Sequence, residues 1–198
     1  MGVIPNQTEG ASSDIISKKH FDSEDQAKVF FILLKQRLLN VNQWKEYAGT
    51  LSATFQLCDL NGDEVQRNVE EGDYFKIHIP GPGSEAGEGF DWVKVELVKE
   101  ENTTTGERLV IKVRPSSNPR NSKADIAHFF DDTATSTFII NRKNKKLTAE
   151  VHGRNEIPNT EADAFGDKLR NTVIATAAIS GFSKIQWNLL TEGLLKDI

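Results

Sequence analysis

The chain has 198 residues and a mass of 22.1 kDa, which is the size of one domain. Hydrophobic residues make up 37% and charged residues 27%, a composition that supports a buried core and excludes a disordered chain. The net charge of −5 lacks the basic excess of nucleic-acid-binding proteins, and the longest apolar run, Val29–Leu34, is far too short to cross a membrane. The sequence therefore predicts neither a nucleic-acid partner nor a membrane partner.

The single cysteine limits redox and metal chemistry. Cys58 cannot form an internal disulfide or complete a zinc motif, and it ends a run of alternating apolar residues. We interpret it as a buried strand residue, with a reactive thiol as the alternative. The N-terminal residues show no secretory signal pattern, so the sequence predicts a cytoplasmic protein. We also predict no cofactor.

The N-terminal segment changes character at Ser23. Residues 1–22 are polar and predict a tail or a weak edge strand. Ser23 and Gln26 then form a capping box, and apolar residues at helical spacing predict a helix over about 24–39. A short second helix is expected around Trp44, before Gly49. The folded domain is therefore predicted to span residues 23–198.

The middle of the chain predicts strands. Six runs alternate apolar and polar residues, at 53–58, 74–79, 92–97, 109–114, 137–141 and 147–152. One dry face and one wet face are typical of antiparallel sheets. No helical segment separates the strands from Ala53 to Val113, which excludes parallel βαβ units there. The fold class is therefore α+β, with an antiparallel sheet of about six strands.

The C-terminal segment predicts a long helix over about 161–195. Phe165, Leu169 and Val173 step by four residues along one face. The middle of this helix carries small residues, namely Ala175, Ala177, Ala178 and Gly181. Small side chains allow close packing on a sheet or leave room for a ligand, and Gly181 is also a candidate break between two helices.

This order of elements resembles the START-like, or Bet v 1-like, helix-grip superfamily (SRPBCC). The resemblance covers about residues 24–195 and implies a curved antiparallel sheet wrapped around a long C-terminal helix, with a cavity between them. The superfamily usually begins with a strand before its first helices. Only residues 14–17 of this chain offer one, and that run is short.

Four short stretches also resemble a family of uncharacterised bacterial proteins of similar length. They are Ile79-Pro80-Gly81-Pro82-Gly83, Asp91-Trp92-Val93, residues 151–156 and residues 181–184. This second resemblance implies no activity.

The leading functional hypothesis is non-catalytic binding of a small, largely apolar ligand between sheet and C-terminal helix. A binding cavity is mostly apolar with a few polar groups. The residues predicted to line it are Phe55, Phe75, Ile77, Val95, Ile111, Ala177, Ala178 and Gly181. The alternative is an interaction protein with a filled core that contacts its partner through residues 1–22 and 115–134. Trp92 falls on the polar face of its strand, so cover by loops or by a subunit interface is expected, and a homo-oligomer stays open.

A third hypothesis is a hydrolase-like or lyase-like enzyme. It requires His128, His152 or Glu150 to converge in a cleft. Their spacing contains no HxH or HxxxH pair, so we predict no metal site. His152, Arg154 and Glu156 are expected together on the wet face of one strand, because Leu147, Ala149 and Val151 take the dry one.

Overall fold

A computed structural model describes residues 2–49, 52–79, 87–121, 125–159 and 173–197. The strands are β1 (Ala11–His20), β2 (Thr54–Cys58), β3 (Tyr74–His78), β4 (Asp91–Asn102), β5 (Gly106–Pro115), β6 (Thr135–Lys143) and β7 (Lys146–Glu156). The helices are α1 (Glu24–Leu39), α2 (Trp44–Ala48) and α3 (Val173–Leu194), with a 3-10 turn at Val41–Gln43 between the first two.

All seven strands form one curved antiparallel sheet in the order β1-β7-β6-β5-β4-β3-β2. Strands β2 to β7 follow one another as a meander, because antiparallel neighbours need only short connections. The α+β class and the antiparallel sheet are confirmed. The sheet has seven strands rather than about six, and β1 is the additional one.

Of the two interpretations of the N-terminal segment, the structure shows the edge strand over residues 11–20. Ala11–His20 pairs with β7 along its whole length and becomes the edge of the sheet. Upstream, the backbone N–H of Thr8 donates to the Asn155 side chain. The alternation of this strand is weak because its inner face carries Ser13, Ser17 and Lys19 beside a single isoleucine, as an edge position permits.

Helix α1 begins and ends as predicted. The Ser23 side chain accepts a hydrogen bond from the Gln26 N–H at 3.2 Å and caps the first turn. Its buried face consists of Ala27, Phe31, Leu34 and Leu38 together with Arg37. Arg37 donates to the carbonyls of Leu194 and Lys196, which ties α1 to the end of α3.

The core lies on the face of the sheet that the helices cover, which we call the inner face; the opposite face is the outer face. Trp44 is fully buried at the centre of this core. Its ring lies 4.8 Å from Phe138, 5.3 Å from Phe55 and 5.5 Å from Phe75, measured between centroids. Aromatic pairs at these distances stabilise beyond their buried area, so Trp44 fixes the helical layer on the strands.

Helix α3 is one unbroken helix from Val173 to Leu194, and Gly181 does not divide it. The predicted first turns, including Phe165 and Leu169, lie outside the described residues, as do the side chains of Ala175, Ala177 and Ala178. Its C-terminal half packs on β1, where Ser17 and Thr191 share a hydrogen bond of 2.9 Å. Within the described ranges, no helix is long and apolar enough to cross a membrane.

Candidate ligand cavity

A cavity of about 40 Å³ lies between the inner face of the sheet and α3. This is room for a water molecule or a few ligand atoms, and far less than the roughly 300–1,000 Å³ of a drug-sized site. Its apolar walls are Phe55, Phe75, Ile77, Ile79, Val93, Val113, Phe129, Phe130, Phe138 and Trp187. Its polar lining consists of His128, Ser136, Glu156, Ser183 and Gln186.

Alternation along the strands produces the apolar walls. Phe55, Phe75 and Ile77 are inner-face residues of β2 and β3, and Phe55 opposes Ile77 across the pair. Helix α3 closes the other side with Ser183, Gln186 and Trp187, which are separated by three and four positions and so share one helix face. The Gln186 side chain also accepts the N–H of Ala53 at 3.2 Å, which holds α3 to the start of β2.

The residues predicted to bind a ligand lie in different places. Phe55, Phe75 and Ile77 line the cavity, whereas Val95 and Ile111 are buried in the core away from it. The physical reason is that Val95 and Ile111 pack in the continuous core that the inner face forms with residues of α1, the 3-10 turn and α2. The side chains of Ala177 and Ala178 lie outside the described residues. Among the described residues, an added Cβ at Gly181 would meet no atom within 4 Å.

His128 supplies a buried polar group of the lining. Its Nδ1 accepts the N–H of Phe130 at 2.9 Å, and burial lowers the pKa of the imidazole to about 3. The ring is therefore neutral, and because Nδ1 is an acceptor, the ring proton lies on Nε2. The rings of Phe129 and Phe130 lie 4.2 Å and 5.9 Å from the imidazole and hold it in place.

Glu156 lies on the inner face, which corrects its predicted position on the wet face. Asn155 has a φ of 54°, and the register of β1 with β7 shifts between Ala11 and Ser13. A bulge of this kind reverses the alternation of the residues that follow it. Glu156 thereby turns inward and accepts the Ser13 hydroxyl at 3.3 Å, and burial raises the pKa of its carboxyl.

Asp91 is a second buried carboxyl near the cavity. It is the first residue of β4 and lies opposite Ile77 of β3. It shares the inner face with Val93, two residues later, and Ile77 and Val93 both line the cavity. Burial raises the pKa of Asp91 to about 7. A carboxyl that can be neutral near pH 7 can donate as well as accept a hydrogen bond.

A second histidine, His152, lies with its charged neighbours on the outer face. His152 is held between Asp14 at 2.5 Å and Glu150 at 3.0 Å, and Arg154 also donates to Asp14. The carboxylate of Glu150, and then that of Asp14, raise the pKa of His152 above its ordinary value. His128 and His152 therefore lie on opposite faces of the sheet. The enzyme arrangement that brings His128, His152 and Glu150 into one cleft is not present.

Two residues with open interpretations are packing residues. Cys58 is fully buried, and burial raises the pKa of its thiol to about 11, which contradicts a reactive thiolate. Trp92 packs with Cys58, Ala127 and Tyr74 on the outer face, and its indole N–H donates to the Gly87 carbonyl. Loop residues thus cover Trp92. Among the described residues, no group of three or more His, Cys, Asp or Glu side chains is placed to hold a metal ion.

Comparison with known proteins gives distant structural neighbours. No family model matches the chain, and no curated protein matches it. A hypothetical protein from Helicobacter pylori has 13% identity and a TM-score of 0.46 over 91% of this chain and 84% of that one. The di-domain ARO/CYC BexL has 12% identity and a TM-score of 0.41 over 94% of this chain and 51% of that one. Ara h 8.0201 has 12% identity and a TM-score of 0.28 over 91% and 99%. These values are too low to assign a family or an activity.

Proposed function

We propose that this chain is a helix-grip type binding protein for a small, largely apolar ligand, held in the cavity between the sheet and α3. The observation that carries the proposal is the lining itself. Ten apolar side chains, six of them aromatic, surround a few polar groups that converge from a loop, two strands and α3. Ligand sites in proteins have this composition, in which apolar walls supply affinity and polar groups fix orientation.

The polar groups favour a ligand that carries a carbonyl or hydroxyl oxygen. The neutral His128 has its Nε2–H as a donor. The hydroxyls of Ser136 and Ser183 and the amide of Gln186 lie in the same lining and can donate as well. The ligand body then lies between the apolar walls, with its oxygen on the histidine side.

The cavity must expand to hold such a ligand. A volume of about 40 Å³ is smaller than a phenol or a short fatty acid. Phe129 is half-buried and stacks on His128, so a turn of its ring enlarges the space without displacing a strand. Binding is therefore expected to be slower than a simple encounter with a preformed site.

Ligand-dependent thermal stability tests the proposal. Delipidated protein is mixed with fatty acids from hexanoate to dodecanoate and with phenols and aryl ketones. A ligand that binds only the folded state raises the melting temperature, and at one hundred times its Kd the gain is about 2.7 kcal/mol. The cavity-filling variant Ser183→Leu should lose the shift, whereas Asn188→Leu, an exposed position on the same helix, should keep it. A panel without any shift, or an unchanged shift in Ser183→Leu, would contradict the proposal.

The second candidate is an interaction protein with a filled core. Trp44 occupies the middle of the inner face, and α1 exposes Val29 and Ile32 on its other side. This candidate predicts that the double variant with Val29→Lys and Ile32→Lys no longer recovers a partner protein from native cytosol. Any ligand-induced rise in melting temperature should persist in that variant. The two candidates are therefore separable by one pair of measurements.

A further inference from the structure

We infer that the free edge of β1 is a self-association surface, through which two copies of this chain pair antiparallel about a two-fold axis at Ile16. The two edges of the sheet differ in a way that points to it. On β2, the N–H of Leu57 donates to the Asn42 side chain at 2.7 Å, and its carbonyl accepts the Val65 N–H at 3.0 Å. At Leu57 that edge is therefore occupied within the chain, which is one way in which edge strands avoid pairing with other molecules.

The edge of β1 that faces away from β7 has no such cover among the described residues. The N–H of Phe21 donates to Lys145 O, and the register is regular from Ser13↔Gly153 to His20↔Lys146. Along an antiparallel strand, the backbone N–H and C=O groups of successive residues point to alternate sides. Because the N–H of Phe21 bonds on the β7 side, the odd-numbered residues of β1 bond to β7. The N–H and C=O groups of Asp14, Ile16 and Lys18 therefore point away from the sheet and are available to a second strand.

Charge selects one register for a second copy. When Ile16 opposes Ile16 of the other copy, Asp14 of each copy opposes Lys18 of the other, so both cross-strand pairs join opposite charges. A register centred on Asp14 or on Lys18 instead places like charges opposite each other, which is unfavourable. Only the Ile16-centred register combines the available backbone groups with two attractive pairs.

The side chains of this edge are also available. Asp14 has half of its side chain exposed, and its bonds to His152 and Arg154 use Oδ1 alone. Ile16 is 46% exposed, which is unusual for an isoleucine in a strand, and it would pack against its own copy at the axis. Three residue pairs that each exchange two backbone bonds give about six hydrogen bonds across the interface.

Sedimentation velocity over a range of concentrations tests the inference. Wild-type protein should show a reversible dimer. Ile16→Lys places two lysines at the axis and should weaken the dimer at least tenfold, while Val29→Lys on α1, also an exposed apolar position, should leave it unchanged. Lys18→Glu should weaken it as well, because four acidic side chains then meet. A wild-type protein that is monomeric at every concentration, or equal dimer dissociation constants for Ile16→Lys and Val29→Lys, would overturn the inference.

Covalent trapping gives a second, independent readout. Opposed residues of a hydrogen-bonded antiparallel pair have Cα atoms about 5.5 Å apart, within the range that a disulfide spans. Ile16→Cys should therefore form a disulfide-linked dimer on mild oxidation, and Val29→Cys should not. The native Cys58 is buried and does not compete. Equal cross-linking of both variants would show random collision and reject the register.

Discussion

Asp91 is a carboxyl whose charged form burial disfavours, and this makes stability depend on pH. Its folded pKa of about 7 lies above the ordinary value of 3.8. Between those values the folded state binds more protons than the unfolded state, so the free energy of unfolding falls as the pH rises. The stabilising contribution of Asp91 is complete below about pH 4 and is lost as the pH rises through about 7. Each pKa unit corresponds to 1.36 kcal/mol, so the full effect is up to about 4 kcal/mol.

The variant Asp91→Asn isolates this effect, because an amide of the same shape does not titrate. We expect Asp91→Asn to be more stable than wild type at pH 8, by up to about 4 kcal/mol, and to lose that advantage at pH 4. Urea denaturation at both pH values measures the difference. His128 titrates in the opposite sense, since its lowered pKa destabilises the fold in acid, but it is present in both proteins and cancels. The same difference at both pH values would contradict the assignment.

Helix α3 contains two glycines with opposite surroundings. A Cβ at Gly193 would lie 2.0 Å from the Tyr47 carbonyl oxygen, so the close contact between α3 and α2 requires glycine there. In the part of the chain that the structure describes, a Cβ at Gly181 would meet no atom within 4 Å, and glycine inside a helix costs about 0.5–1 kcal/mol relative to alanine.

The two alanine variants should therefore move stability in opposite directions. Gly181→Ala should raise the free energy of unfolding by about 0.5–1 kcal/mol. Gly193→Ala should lower it by about 1–3 kcal/mol, the usual cost of overpacking. Chemical denaturation of both variants with wild type as reference measures this. A loss of stability in Gly181→Ala would show that α3 packs closely at that position, which would also weaken the case for space beside it.

The strands of the meander could be predicted because each carries its own evidence. Alternation in β2, β3 and β5 reports one buried face without reference to any other strand. Strand β1 could not be recognised in the same way, because an edge strand with Ser13, Ser17 and Lys19 on its inner face has little alternation. Its pairing depends on β7, more than one hundred residues away.

The cavity was harder to predict than the fold. The strand faces identify Phe55, Phe75 and Ile77, but the sequence does not reveal that Val95 and Ile111 pack into the closed part of the core instead. Glu156 was misplaced because one residue with positive φ, Asn155, reverses the alternation at the end of β7. His128 and Phe129 come from an irregular loop, for which periodicity carries no information.

The molecule as a whole combines a rigid and a less filled region. Trp44 packs on Phe75 and Phe138 at the centre of the inner face, and these two residues also form part of the cavity wall. The rest of the lining comes from separate elements, namely strand ends, the loop around His128 and one face of α3. Binding is therefore expected to move the loop around His128 while the strands stay in place.

A crystal structure with the probe that gives the largest thermal shift tests this account most directly. We expect the probe between Phe130 and Trp187, with its oxygen within hydrogen-bond distance of His128 Nε2 and with the strands of the sheet unmoved. A probe bound on the outer surface, or an unchanged cavity of about 40 Å³ at a probe concentration that saturates the shift, would contradict the account.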